Sequence, residues 1–242
     1  MNRKGLSATT TRGGFVLAVI WLMAVAGLFP VFTFAADHKA EAVQLVEKSK
    51  MTLESFSSDS NMGAFNDLIK QAKGVFIAPQ VLKGAFIFGA SGGSGVLVTW
   101  SDKAGRWAGP AFYTIGGASF GLQIGGQAAE VGLLAMTDRG VKALLSSSVK
   151  LGADVGIAAG PIGAGASAAT ANLSADILSF SRAKGLYGGI SLEGAVVAVR
   201  DVWNEAYYGK KIDPIGVLII QEATNPHASS LIQNVEKASG RK

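Results

Sequence analysis

Glycine decides the outline of this chain, because 24 of its 32 glycines fall between Gly74 and Gly194 among short runs rich in Val, Ile, Phe and Tyr. β-Branched and aromatic residues favour strands. Glycine weakens a strand unless backbone must approach closely, as at bulges or tight corners. The interval therefore predicts a strongly curved antiparallel sheet or a partly closed barrel, with a flat sandwich as the alternative. Strands are expected at Val75 to Ala78, Gly84 to Phe88, Gly95 to Trp100, Ala111 to Ile115, Ser119 to Ile124, Ala129 to Ala135, Ala153 to Ala158, Ala164 to Asn172, Asp176 to Ser181 and Ala195 to Arg200. Asp102 to Gly105 and Gly160-Pro161 supply turn chemistry between them.

Helical periodicity brackets this region. Ala42, Leu45, Val46, Leu53 and Phe56 share one face of a helix expected from Lys39 to Phe56, with Glu47, Lys50 and Glu54 largely opposite. Phe65, Leu68, Ile69 and Ala72 predict a second helix, capped by Ser60 or Asn61 and stopped by Gly74. A third is expected from Asp138 to Ser147, capped by Thr137. Beyond Arg200 the chain turns helical at Val202 to Tyr208, runs through the apolar Ile215 to Ile220 and ends in a helix after Pro226. The whole is an α+β domain with helices at both ends of the sheet.

Before that domain, Arg3, Lys4 and Arg12 precede an uncharged apolar run from Phe15 to Phe34, which is the layout of an export signal. Pro30 breaks the run and Thr33-Phe34-Ala35 offers a small-x-small cleavage pattern. Residues 1–35 are thus expected to be a signal peptide and residues 36–242 a single domain; an uncleaved anchor is the competing reading. Without residues 1–35 the charge count falls from 22 basic against 17 acidic to 19 against 17, a net +2. So small a charge excludes the strong basic footprint of a nucleic-acid binder. The absence of cysteine removes disulfides, thiolate catalysis and an acylated lipoprotein cysteine together.

Two stretches match the Gly-x-Ser-x-Gly pattern of a hydrolase nucleophile, around Ser91 and Ser119. The chemistry also needs a strained strand-to-helix turn, a histidine base and an orienting carboxylate. Only His227 follows either serine, and neither site leads into a helical pattern. Gly160-Pro161-Ile162-Gly163-Ala164-Gly165 superficially resembles a phosphate loop but no helix follows it. His38 and His227 are the only imidazoles, so no metal site and no cofactor are implied.

Aromatic residues divide between core packing and interfacial anchoring: Trp100, Trp107, Phe112, Tyr113, Phe120, Tyr187, Trp203, Tyr207 and Tyr208. Arg182 and Lys184 precede Tyr187, and Lys210 and Lys211 follow Tyr208, so these cations are candidates to meet lipid phosphates.

The stretch from Asp176 to Gly194, DILSFSRAKGLYGGISLEG, resembles the signature of the SYLF domain family. Lys73 to Pro79 with Leu82-Lys83-Gly84, Trp107 to Tyr113 leading to Ser119 to Gly125, and Trp203 to Gly209 agree with it, the last fitting the bacterial branch. The resemblance implies phospholipid binding, with phosphoinositides associated with eukaryotic members and actin binding with fungal ones. In eukaryotic members membrane binding is associated with an amphipathic N-terminal helix. The helix Lys39 to Phe56 corresponds in place, but its polar face mixes Glu41, Glu47 and Glu54 with Lys39, Lys48 and Lys50.

The expectation is a non-catalytic phospholipid or membrane-surface binding protein of the cell envelope, with Arg182, Lys184, Tyr187, Lys210 and Lys211 as candidate lipid contacts. An envelope interaction module whose partner is another protein is the alternative, and a serine hydrolase is a distant third.

Overall fold

The computed structural model describes residues 38–85, 88–120, 125–163, 174–183, 186–187 and 192–241. Residues 1–35, expected as an export signal, Lys184, the strand expected at Ala164 to Asn172, and Gly185, Gly188 and Gly189 lie outside the described residues.

Helix α1 (His38–Ser58) matches its periodicity, with Ala42, Leu45, Val46, Leu53 and Phe56 buried. A 3-10 turn (Ser60–Met62) and α2 (Gly63–Leu68) follow. The cap is Asp59, whose carboxylate accepts from Asn61 N, so neither Ser60 nor Asn61 caps this segment. Gly74 does not stop a helix; it opens β1 (Gly74–Ala85).

The central strands are longer than expected. β1, β2 (Phe88–Ser101), β3 (Arg106–Phe120) and β4 (Gly125–Ala135) run 11 to 15 residues each. The segment Gly84 to Phe88, expected as one strand, straddles the β1–β2 connection, and the glycine-rich Gly89 to Gly95 is strand throughout. Ladder pairing explains this: β2 is hydrogen-bonded to β1 on one side and β3 on the other, so its backbone is satisfied where its side chains cannot pack.

After β4 come α3 (Asp138–Leu145), β5 (Ser148–Lys150), β6 (Ile157–Ala159), β7 (Ile177–Ala183), β8 (Leu186–Tyr187) and β9 (Val196–Val199). Thr137 caps α3 as the sequence indicates, accepting from Gly140 N. The chain closes with α4 (Asp201–Tyr208), a π-helical turn (Gly216–Ile220), a short 3-10 turn (Pro226–Ala228) and α5 (Ser229–Ser239).

The strands form one sheet in the order β5-β9-β3-β2-β1-β4-β7-β6, with β8 on β7. Among the described residues every strand pairing is antiparallel except β6 with β7, a departure from the fully antiparallel expectation. Curvature follows from connectivity. Edge strands β5 and β6 are consecutive in the chain, and Lys150 to Ile157 can stretch over at most about 25 Å. Laid flat, eight strands would hold those edges about 34 Å apart. The sheet must therefore curl, into an open half-barrel.

Strict alternation fills both faces. Val75, Ile77, Val96, Val98, Phe112, Leu134, Leu178 and Phe180 join α1, α2, α4 and α5 in an outer core. Phe76, Leu97, Tyr113, Leu133, Ile177 and Val197 join Leu144 of α3 and Val217 and Leu218 of the π-turn in an inner core that draws on both sheet edges.

Candidate functional site

The site begins with a proline. Pro79 stands in β1, a central strand, where proline cannot donate to the ladder and is tolerated only at a bulge. The register records that bulge on both sides: three steps along β1, from Ile77 to Gln80, answer two along β2, and Ala78 to Val81 answer two along β4. Glycine accommodates the displaced backbone. A Cβ on Gly93 would lie 2.3 Å from the Gln80 carbonyl oxygen, and one on Gly95 would lie 2.4 Å from the Phe76 ring.

Helix α1 crosses the sheet beside this bulge, and the mismatch leaves two clefts. One, about 450 Å³, is lined by Lys48, Met51 and Thr52 of α1, Pro79 and Gln80 of β1, Ala128 to Glu130 of β4 and Arg182 of β7. The other, about 320 Å³, extends from the same Lys48, Pro79 and Gln80 toward Glu41, Leu82, Gly92 and Trp203. Both lie in the size range of small-ligand sites, roughly 300–1,000 Å³. Met51 and Leu82 are large apolar side chains left exposed, by 64% and 55%. Lys48 is exposed, and among the described residues it joins no ion pair.

Arg182 forms the back of the first cleft, and its charge is already engaged. Glu130 is its cross-strand partner, accepting from Nε at 2.9 Å and also from Nη2. Asp59 accepts from Nη1 at 3.2 Å and Ser55 Oγ from Nη2 at 2.6 Å, while the guanidinium lies 5.5 Å from the Phe56 ring centroid. Thr52 Oγ1 donates to the other Glu130 oxygen at 3.1 Å. Burial alone would lower the Arg182 pKa; the hydrogen bonds and charges of Glu130 and Asp59 outweigh it and raise the value. The cluster ties α1 to β4 and β7. Asp176, six residues before it in the chain, is not among its partners: it accepts from Thr137 Oγ1 and lies near Arg139.

The other candidates separate. Tyr187 pairs with Arg182 in the β7–β8 register, and its side chain is not among those described. Lys184 lies outside the described residues. Lys210 and Lys211 are exposed after α4 and line neither cleft; the Lys210 ammonium donates to the Glu222 carbonyl at 3.0 Å. Lys48, Met51 and Leu82 were missed as site residues, because nothing in the local pattern signals the bulge opposite them except Pro79 in an apolar strand.

Most of the described aromatic candidates pack inward, with Trp100 and Tyr208 half-buried. Trp107, Phe112, Tyr113, Trp203 and Tyr207 are each at most 7% exposed, and Phe112 packs against both Trp203 and Tyr207. Ser91 lies within β2, not on a strand-to-helix turn, and its hydroxyl donates to the Gly117 carbonyl. His227 is engaged elsewhere, between Glu47 at 3.1 Å and the Tyr207 hydroxyl at 3.2 Å. Ser119 is in β3, and its side chain is not among those described.

This geometry defines a glycine-rich half-barrel module of the α+β class, clasped by its first helix and bearing open clefts at a proline bulge. Residues 116–238 match the profile of the Ysc84 family, described as Las17-binding protein actin regulator, and the chain belongs to that family, the SYLF family of the resemblance above. It is 32% identical over 174 residues to Protein YSC84 of Saccharomyces cerevisiae, covering 70% of this chain and 36% of that protein. LAS seventeen-binding protein 3 of the same yeast is 34% identical over 147 residues, covering 59% of this chain and 32% of that protein. Human SH3 domain-containing YSC84-like protein 1 is 31% identical over 153 residues, covering 62% and 44%. The matched regions thus span less than half the length of each of these relatives.

Proposed function

We propose that this chain is a non-catalytic module that binds phospholipid at a membrane surface, acting in the cell envelope after export. The observation that carries the reading is the open pair of clefts at the Pro79 bulge, where exposed Met51 and Leu82 flank the exposed Lys48. Apolar walls suit acyl or glycerol carbons, and a cation at the mouth suits a phosphate. Arg182 serves here as the fastener of α1, since its donors are taken by Glu130, Asp59 and Ser55. The placement of Ser91 inside a strand, the family's description as a Las17-binding actin regulator and the name LAS seventeen-binding protein 3 support a role without catalysis.

Co-sedimentation with vesicles of phosphatidylcholine alone and mixed with phosphatidylglycerol tests the reading. Wild type is expected to pellet with the mixed vesicles, and a folded Lys48→Gln, Met51→Asp variant to bind on the order of tenfold more weakly. Absence of wild-type binding to either composition would overturn it. Export is tested by the intact mass of the envelope fraction, expected to lack residues 1–35. A second reading, protein binding, is favoured by the family description, which names Las17 and actin; co-sedimentation with actin filaments tests it.

A further inference from the structure

The segment after α4 spends three isoleucines on solvent. Ile215, Ile219 and Ile220 are 45%, 50% and 64% exposed, while Val217 and Leu218 between them are buried in the inner core. Backbone geometry imposes this division. In a π-helical turn bonded i to i+5, the fourth and fifth residues onward lie over the first, which gathers Ile219 and Ile220 above Ile215 on one side. The turn is held firmly. Thr99 Oγ1 donates to the Leu218 carbonyl at 3.2 Å, Asp213 accepts from Gly216 N at 2.7 Å, and the N–H groups of Gln221 and Glu222 both return to the Gly216 carbonyl. Gln221 closes it in the left-handed region, at φ 59°.

Two cations bracket the exposed end. Arg106, at the start of β3, donates through Nε and Nη2 to Gln221 Oε1 at 2.8 and 2.7 Å. Lys210 donates to the Glu222 carbonyl from the other side of the sequence. Both rest on uncharged oxygens, and among the described residues neither joins an ion pair. Asp213 accepts from Gly216 N, the Glu222 carboxylate approaches Gly216, and Asp102, next to the Ser101 that pairs with Arg106, accepts from Trp100 Nε1. Arg106 and Lys210 reach Gln221 and Glu222, the residues that directly follow Ile219 and Ile220.

We propose that this turn is a contact with an anionic bilayer, in which Ile219 and Ile220, with Ile215 beneath, enter the headgroup boundary while Arg106 and Lys210 meet lipid phosphates. The inference rests on the lipid reading above and assigns it a membrane-facing surface apart from the clefts. Apolar side chains ringed by cations are the pattern of interfacial attachment, where aliphatic burial and attraction to anionic lipid add. A second protein fits less well, because three side chains fall far short of the roughly 800 Å² per partner that a stable interface buries. A turn already fixed by its own hydrogen bonds loses little freedom on docking.

The full chain tests this against the same two vesicle compositions. An Ile219→Ser, Ile220→Ser variant is expected to bind mixed vesicles on the order of tenfold more weakly or worse. An Arg106→Gln, Lys210→Gln variant should lose about tenfold and most of the salt dependence. Thermal melts establish that each is folded. Since the chain has no cysteine, Ile220→Cys and Gln71→Cys can each carry one polarity-sensitive dye, and only the label at position 220 should shift to the blue with mixed vesicles. If wild type binds while both folded double variants bind equally well, or neither label shifts, the turn is not the contact and the cleft reading stands. If wild type binds neither composition, the lipid reading itself falls. If the isoleucine variant changes only self-association in sedimentation velocity, the occupant is a second copy and the proposal is overturned.

Discussion

Across the outer face of the sheet, Arg182 joins β7 to Glu130 of β4 and to Ser55 and Asp59 at the end of α1. Across the inner face, α3 and the π-turn contribute Leu144, Val217 and Leu218, and Thr99 Oγ1 donates to the Leu218 carbonyl. The buried side of α1 includes Thr52, whose hydroxyl donates to Glu130, and Ser49, whose hydroxyl has no hydrogen-bond partner among the described residues. A helix that buries hydroxyls gains orientation from polar partners, which apolar contact alone does not fix. The inner covering is aliphatic; Asp138 and Arg139 of α3 pair with Lys73 and Asp176, while Arg106 and Lys210 beside the π-turn join no ion pair among the described residues. One guanidinium is thus used for architecture, while Arg106 and Lys210 rest on neutral oxygens.

The sharpest way to break this contrast is to remove the clasp. Arg182→Met leaves Glu130 and Asp59 partly buried without their cation, and should lower stability by about 2–4 kcal/mol in urea unfolding. A loss no larger than that from Arg106→Gln would show that the two arginines are equivalent.

Alkali should weaken both faces next, while leaving the Arg182 clasp charged. Burial, with Asp213 and Asp201 adding to it, raises the Tyr113 pKa in the inner core, and burial does the same for Tyr207 and Tyr208 on α4. The unfolded chain then releases these protons first, near pH 10, while the folded state holds them. Stability is therefore full below about pH 10 and falls above it, by up to about 1.4 kcal/mol per pH unit for each phenol. The Arg182 clasp keeps its charge in this window, because its pKa is raised. Urea midpoints between pH 9 and 11, with phenolate absorbance followed in parallel, check this; phenols titrating without loss of stability would contradict it.

A smaller effect refines the inner face. The Tyr113 hydroxyl is buried with no hydrogen-bond partner among the described residues. Tyr113→Phe should therefore leave stability unchanged or raise it by up to about 1 kcal/mol, and should flatten the alkaline slope. Arg106→Gln comes last, expected within about 0.5 kcal/mol of wild type in the same melts. A larger loss would mean that its bond to Gln221 shapes the π-turn.

Periodicity carried the parts of the fold that depend on neighbours in the chain. The buried face of α1, the Thr137 cap of α3 and the helices after Arg200 follow from residues within a few positions of each other. The glycine excess also pointed correctly to curvature, because glycine is required where strands crowd, as Gly93 does against Gln80. The run Gly89 to Gly95 misled, since glycine breaks an isolated strand but not one paired on both sides. The candidate site was harder to read: Lys48, Leu82 and Ala128 meet only because Pro79 displaces the centre of the sheet.

What the sequence determined by itself was therefore the alternation that fills two cores, the helical faces and the tendency to curl. Each is set by side-chain type at a spacing of 2 or 3.6 residues. Tertiary structure decided which charges are engaged and which apolar groups are exposed. Arg182 and Lys210 look alike in sequence, as do Leu218 and Ile219. Glu130 and Asp59 stand 52 and 123 residues before Arg182, and Thr99 stands 119 residues before Leu218. Partners at such separations leave no local trace, because they are brought together by strand register and the curl of the sheet.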